Sequence, residues 1–457
     1  MNHPLLTQII GVDLNALHLQ LLIGSMSRAL HPIFRYMRRT TISDSLNVKR
    51  IMPDRRMNAA MRIVNLSFAA LLLCPPLVRS QDGTGPRSRA DVIGNISIYE
   101  SPSEYCAWPS IARTLGGDLF VLFTRTEEHL GPNGAILLSR STDNGKTWLQ
   151  PVVVLDSPID DRESGITTLR DGRIVGHFWS TFHTIEHYER LAPNSYGRDL
   201  LDRWIAMVGQ PSYRDAKKYS GTSTMVSGDG GRTWSKLTRG HDSVHGGIEL
   251  ANGVLLLASY RETPDSIGVY MADSVSGPWR RLATIISQEP DSLSFGEPHI
   301  LQLKSGRVIM MIRATARPYN DSDPRCALWE SYSDDNGKTW VAPFATSLWG
   351  FPPHLALLAD GRVLCTYGYR RPPYGQRACL SNDGVSWNPW DEVVLRDDAP
   401  NGDLGYPASV ELERGFVLTV YYQPDVPPGT IQRMHPPDPL RRKPGILGTI
   451  WKVPPAK

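Results

Sequence analysis

The chain has 457 residues, 41% hydrophobic and 21% charged, which suits two ordinary domains or one large barrel or propeller and is too apolar for disorder. Its 39 glycines and 36 prolines make it turn-rich, favouring many short strands and excluding a coiled coil or helical bundle. The formal net charge is +3, and the first 80 residues hold ten Lys/Arg against three Asp/Glu, so the remainder is slightly acidic and offers no basic face for nucleic acid.

From Met61 the chain reads Met61-Arg62-Ile63-Val64, then an apolar run from Leu66 to Cys74, then Val78-Arg79-Ser80 before Gln81. A short basic start, an apolar stretch and a small-residue end make the layout of a signal peptide. The run falls short of the ~20 apolar residues a membrane-spanning helix needs, and Pro75-Pro76 breaks it; a buried core helix is the other reading. Residues 61–80 are therefore expected to direct export, to the periplasm or outside the cell, with no membrane span. Residues 1–60 are expected to be a non-native extension upstream of a start at Met57 or Met61. Cys106, Cys326, Cys365 and Cys379 remain, too few for a disulfide framework and without CxxC spacing for zinc. Cys365 and Cys379 flank a hairpin-like segment, 367–376, and either pair across neighbouring strands or stay as buried free thiols.

Internal repeats organise the rest. Ser141-Thr142-Asp143-Asn144-Gly145-Lys146-Thr147-Trp148 returns as Ser227-Gly228-Asp229-Gly230-Gly231-Arg232-Thr233-Trp234 and as Ser333-Asp334-Asp335-Asn336-Gly337-Lys338-Thr339-Trp340. A contracted copy runs from Ser381 to Trp387 and a degenerate one from Asp273 to Trp279. The pattern SxDxGxTW reads as a hairpin turn whose Asp accepts the turn's own amides, whose Gly takes positive φ and whose Trp packs beneath. Between these turns lie Leu169-Arg170-Asp171-Gly172-Arg173, Leu250-Ala251-Asn252-Gly253-Val254, Leu303-Lys304-Ser305-Gly306-Arg307 and Leu358-Ala359-Asp360-Gly361-Arg362, with shorter versions at 115–119 and 412–416. Each reads as two strands joined by a two-residue type I′ turn. Six such hairpins predict an all-β, six-bladed β-propeller of four-stranded antiparallel blades. The long interval from Ser227 to Ser333 leaves room for a seventh.

SxDxGxTW resembles the Asp box of the sialidase (neuraminidase) superfamily, and the likeness covers residues 95–455. It implies a retaining exo-α-sialidase-like glycoside hydrolase: three arginines for the substrate carboxylate, a Tyr nucleophile activated by a Glu, and an Asp acid/base. The Tyr departs from ordinary two-carboxylate glycoside hydrolysis, because an anionic sugar repels a carboxylate nucleophile but lets a neutral phenol approach. Guanidinium suits the carboxylate because its fork meets both oxygens. The partner is a glycan; a monomer, no cofactor and no metal are expected.

Residue by residue, 296–313 resembles the strand pair bearing the activating Glu and one arginine, giving Glu297 and Arg313. The segment 374–381 resembles the strand carrying another arginine before an Asp box, giving Arg377, and 403–412 the segment presenting the nucleophile, giving Tyr406. The first blade departs from the pattern: Ala107-Trp108-Pro109 stands where sialidases have Arg-Ile-Pro, and Arg125 is the nearest compensating guanidinium. The acid/base is expected on the loop 126–132, with Glu128 the candidate and Glu127 or His129 the alternates. Asp160-Asp161-Arg162-Glu163 is either a solvated charge run or, at an innermost strand, a source of Arg162 and Asp161 for the hub. His183 and His187 lie in a long insertion, 182–218, that either lids the pocket or packs as a surface loop. His245, His299 and His354 begin innermost strands and keep two other readings open: a glycosidase or lyase on a uronate glycan, where a His and Tyr remove the C5 proton, and a non-catalytic glycan-binding propeller.

Overall fold

The computed structural model describes residues 88–456 except 192–195, 261–262, 264, 276, 321 and 435–440. The signal-peptide segment 61–80 and the upstream stretch 1–60 lie outside the described residues.

Six antiparallel sheets follow one another along the chain. Blade 1 runs outward from the axis as Tyr105–Arg113, Leu119–Thr126, Ala135–Ser141 and Val152–Leu155. Blade 2 is Asp160–Thr168, Ile174–Thr181, Gly221–Ser227 and Thr238–Arg239, and blade 3 is Ile248–Glu249, Leu255–Ser259, Ser266–Ala272 and Arg280–Ile286. Blade 4 is Leu293–Gln302, Val308–Ala316, Leu328–Ser333 and Phe344–Ala345. Blade 5 is Pro353–Leu357, Val363–Tyr369, Gly375–Ser381 and Val393–Arg396. Blade 6 takes Gly405–Glu413, Phe416–Gln423 and Gly445–Lys452 from the chain's end and its outer strand, Asp91–Tyr99, from the domain's beginning. That strand starts upstream of the boundary expected at 95, and the short strand Ser88–Arg89 adds a parallel fifth member to blade 5. The interval 227–333 holds the outer strand of blade 2, all of blade 3 and three strands of blade 4, and the described residues form six blades with no seventh.

Each pair of neighbouring blades encloses its own apolar cluster. Leu122 and Leu138 meet Phe178 between blades 1 and 2, Leu256 and Val269 meet Phe295 and Met310 between 3 and 4, and Val121 and Phe123 meet Leu418 and Val420 between 1 and 6. The interface of blades 2 and 3 is the smallest, built on Leu169, Val175, Leu255 and Ala272.

The Asp boxes fold as their residues dictate. Thr147 donates to Asp143 through its backbone N–H (2.9 Å) and its hydroxyl (2.6 Å), Ser141 Oγ donates to Asp143 (2.8 Å), and Gly145 N–H closes the loop on Ser141 Oγ (2.9 Å). Those donors hold the Asp143 carboxyl down at about 2. A Cβ on the box glycine would press on the blade before: on Leu418 from Gly145, Leu138 from Gly231, Leu256 from Gly337 and Ile309 from Gly384. The box is therefore a staple between blades as well as a turn. In blade 3 the degenerate copy gives its Asp273 carboxylate to Arg280 instead (2.6 Å).

The Leu-x-x-Gly hairpins differ from the type I′ expectation. Gly172 N–H donates to Leu169 O (3.0 Å) and Leu169 N–H to Arg173 O (2.9 Å), while Gly172, at φ 88°, is the left-handed residue of the turn. The connection is a type I turn followed by a glycine bulge, repeated at 250–254, 303–307 and 358–362. Cys365 and Cys379 do stand opposite one another on neighbouring strands, but as buried free thiols.

The insertion in blade 2 is helical, with Ile185–Glu189, Arg198–Val208 and Pro211–Asp215 gathered around Tyr188, Tyr196, Leu201 and Trp204. Among the described residues no helix is long and apolar enough to cross a membrane. At the axis, His299 and His354 stack with ring centroids 4.3 Å apart, and His245 meets them edge-on at 5.6 and 5.1 Å. His299 Nδ1 accepts from Leu355 N–H (2.8 Å) and His354 Nδ1 from Ser409 N–H (3.3 Å), so each neutral ring carries its proton on Nε2. Burial drives all three pKa values down, His299 to about 3.

Two expectations follow. Gly253 and Gly337 both hold positive φ, but a Cβ at Gly253 meets open space and one at Gly337 meets Leu256 at 3.1–3.2 Å. Gly253→Ala should cost about 1 kcal/mol of backbone strain, and Gly337→Ala a further ~1–3 kcal/mol for overpacking the interface, read by urea denaturation. His245 has no hydrogen-bond partner at either nitrogen among the described residues, and its folded pKa lies below the unfolded 6.5. The unfolded chain therefore takes up the proton first, and stability is lost as pH falls below 6.5. His245→Leu should flatten that loss by about 1.4 kcal/mol per pH unit, measured as unfolding free energy between pH 7.5 and 5.

Candidate active site at the hub

A strand's alternation lays its side chains against neighbouring blades; presenting one along the axis takes an irregularity. Four inner strands have one at equivalent places. In blades 1, 2, 4 and 6 the pairing with the second strand slips by one residue, at Trp108, Glu163, Glu297 and Tyr406. All four hold positive φ, at 55°, 39°, 45° and 50°. Non-glycine residues rarely adopt that region, and bulged, strained positions gather at functional sites. In three of the four a proline follows, and its missing N–H suits a position that has no ladder partner.

The bulges bring the predicted nucleophile and base together. Tyr406 Oη donates to Glu297 Oε1 at 2.5 Å, and Arg313 Nη1 pairs with Glu297 Oε2 at 2.8 Å. Burial pulls the Glu297 pKa up, but Arg313, the Tyr406 hydroxyl and Arg370 outweigh it and hold the carboxyl below its usual range. Burial and the flanking Glu163 and Glu297 push the Tyr406 phenol well above 10. The pair is thus a neutral phenol donating to an ionised carboxylate. Glu163 Oε1 lies 3.5 Å from the same phenol oxygen, and its Oε2 accepts from Tyr260 Oη at 3.0 Å.

Arg162 is at the hub as expected, its guanidinium 4.3 Å over the Trp108 ring and 3.1 Å from Asp160. Asp160 also holds His183 Nε2 (3.1 Å) and accepts from Gly134 N–H (3.0 Å). Trp108 is buried, with Arg162 on its face and His129 at its edge (5.4 Å). Ala107 is sealed in the core, so a guanidinium at that position has no path to the pocket.

Other expected residues lie elsewhere. Glu128 is buried between Arg441 (2.5 Å) and Lys443 (3.2 Å), and two cations from the far end of the chain occupy the carboxylate expected as acid/base. Its alternate Glu127 is held by Arg203 (2.6 Å) and Trp204 Nε1 (2.9 Å). The other alternate, His129, packs on Trp108 and shares Asp403 (3.2 Å) with Tyr105 (2.7 Å). Arg125 faces Glu104 (3.5 Å). Arg377 is buried in blade 5 against Tyr369, Glu392 (3.3 Å) and the carbonyls of Gln376 and Pro373, where it ties strands together. Asp161 closes a local turn through Ser157 and Ser180, and burial raises its pKa to about 6.

A cavity of about 670 Å³ opens over this centre, with Arg162, Glu163, Glu297 and Tyr260 on one side and Phe182, His183, Thr184, His187 and Arg190 of the insertion on the other. The insertion therefore walls the pocket. Sequence reasoning missed Glu163, although its bulge matches the Trp-Pro, Glu-Pro and Tyr-Pro sites, and Arg370, whose charge reaches both Glu297 and Tyr406. Among the described residues no group of three or more His, Cys, Asp or Glu is arranged to hold a metal ion.

A family model described as a BNR repeat-like domain matches residues 203–419. A Dyadobacter fermentans protein of unknown function superposes with a TM-score of 0.62 at 22% identity, over 79% of this chain and 99% of that one. The Hadza microbial sialidase Hz136 does so with a TM-score of 0.50 at 16% identity, over 76% and 66% of the two chains. The NanB sialidase of Streptococcus pneumoniae gives 0.52 at 13% identity, over 78% and 70%. No curated protein sequence matches the chain. At these identities the structural likeness is one of fold: the chain is a six-bladed propeller of the kind these proteins have, and its residues 203–419 match the BNR repeat-like domain.

Proposed function

We propose that this chain is a retaining glycoside hydrolase that releases a terminal anionic sugar by an exo-α-sialidase-like mechanism. The observation that carries the reading is the Tyr406 phenol donating at 2.5 Å to a Glu297 carboxylate that Arg313 keeps ionised, on bulges facing one pocket. Tyr406 Oη attacks the anomeric carbon as its proton passes to Glu297, which avoids placing a bare carboxylate against an anionic sugar. Glu163, the other pocket carboxylate, is the group that relays a proton between solvent and the leaving oxygen and then takes one from the water that frees the product. Arg162, stiffened by Trp108 and Asp160, supplies the guanidinium that blade 1 lacks, and Arg313 and Arg370 complete the positive side. The fold shared with sialidases supports the hydrolase class.

Release of sialic acid from an aryl α-sialoside tests the reading. Glu297→Gln and Glu163→Gln should each lower kcat by about 10²–10⁴-fold, and Tyr406→Phe at least as much. Arg162→Gln should raise KM by roughly ten- to a hundred-fold, the worth of one charge-assisted contact of ~1.5–3 kcal/mol, whereas Arg377→Gln should act on stability. Turnover untouched by Tyr406→Phe would sink the mechanism. An unsaturated-uronate absorbance in place of released sialic acid would move the chain to the lyases.

A further inference from the structure

The cations of the pocket are unequally satisfied. Arg313 is neutralised by Glu297 and Arg162 by Asp160. Arg190, at the end of the short helix Ile185–Glu189, lines the same cavity, is exposed, and forms no ion pair among the described residues. One turn back on that helix His187 also lines the cavity; its Nε2 is buried without a hydrogen-bond partner among the described residues, and its ring lies tilted against His183 at 4.7 Å. Burial, His183 and the guanidiniums of Arg190 and Arg162 lower the His187 pKa, against the pull of Asp160. His183 is fixed in turn by the Asp160 carboxylate that orients Arg162, so the wall and the hub share one anchor. The cavity, about 670 Å³, has room for more than a single sugar ring.

We infer that the helical insertion builds a second anion subsite, in which Arg190 and His187 read a second carboxylate or sulfate on the substrate, one sugar away from the charge met by Arg162. The preferred ligand is thus a dianionic oligosaccharide. This rests on the anionic-sugar reading of the pocket but not on the chemistry of Tyr406. An exposed guanidinium alone adds little in water; at the rim of a half-enclosed cavity, beside an imidazole that lacks a partner, it gains from a bound anion.

The experiment measures binding to Tyr406→Phe protein by calorimetry, so that no turnover is needed. Two ligand pairs differ by one charge: sialyllactosamine with and without a 6-sulfate, and the unsaturated chondroitin disaccharide with and without its 6-sulfate. In at least one pair the second charge should tighten Kd tenfold or more, and Arg190→Gln should erase that preference. Arg214→Gln, on the same insertion but away from the cavity lining, should preserve it. No preference for the sulfated member, a preference that survives Arg190→Gln, or no binding of any of the four would overturn the inference. Failure of the hydrolase reading shows separately, as a kcat indifferent to Tyr406→Phe, and leaves the binding preference to stand or fall by itself.

Discussion

A strand in a propeller blade has no reason to aim a side chain down the axis, because its pleat sends alternate residues into the two neighbouring blades. The site exists because four inner strands give up one register position each. Trp108, Glu163, Glu297 and Tyr406 sit where the ladder slips, in a left-handed conformation that costs of order 1–3 kcal/mol each. The clusters between blades and the Asp-box staples over-determine the backbone enough to hold that strain. The geometry of the hub and the packing of the blades are thus coupled: Tyr406 and Ala408 belong to the same apolar cluster as Leu418 and Val420.

Electrostatics then sorts the residues the bulges present. The same buried surroundings push the phenol up and, through Arg313, hold its neighbouring carboxylate down. A phenol flanked by two carboxylates keeps its proton in the resting site. On the other side of the pocket the loss of the blade 1 arginine is structural rather than a vacancy: the tryptophan that stands beside its place is the platform on which the arginine of blade 2 rests.

The architecture was legible because its signals are local. An Asp box closes on itself within eight residues, and a hairpin glycine marks its own turn, so counting them located the blades. Glu297, Arg313 and Tyr406 were named from their resemblance to sialidase segments and Arg162 from its place on an innermost strand, and the structure sets all four at the hub. Glu128 and Arg377 were misplaced because what decides their role is distant in sequence or buried: the cations that claim Glu128 come from 441 and 443, and Arg377 points into its blade instead of out of it. Glu163 lay within a run of four charged residues, where only the slipped register tells which one turns inward. Even the hairpin type was set by a bulge that Asp-Gly and Asn-Gly pairs do not distinguish from a tighter turn.

The closure of blade 6 has a consequence for how such a chain matures. Asp91–Tyr99 leaves the ribosome hundreds of residues before Gly445–Lys452, the strand it pairs with, and Thr449 Oγ1 donates to Asn95 across a separation of 354 residues. Five blades assemble from contiguous sequence as it emerges, but the sixth waits for the last segment of the domain. Until then the nascent protein carries an open seam with two unpaired strand edges, the kind of surface that recruits other chains. Once the seam shuts, no blade has a free flank from which to peel, and opening the ring means breaking a complete strand pair at once. Closing that seam is therefore the step that removes the last exposed strand edges and locks the ring.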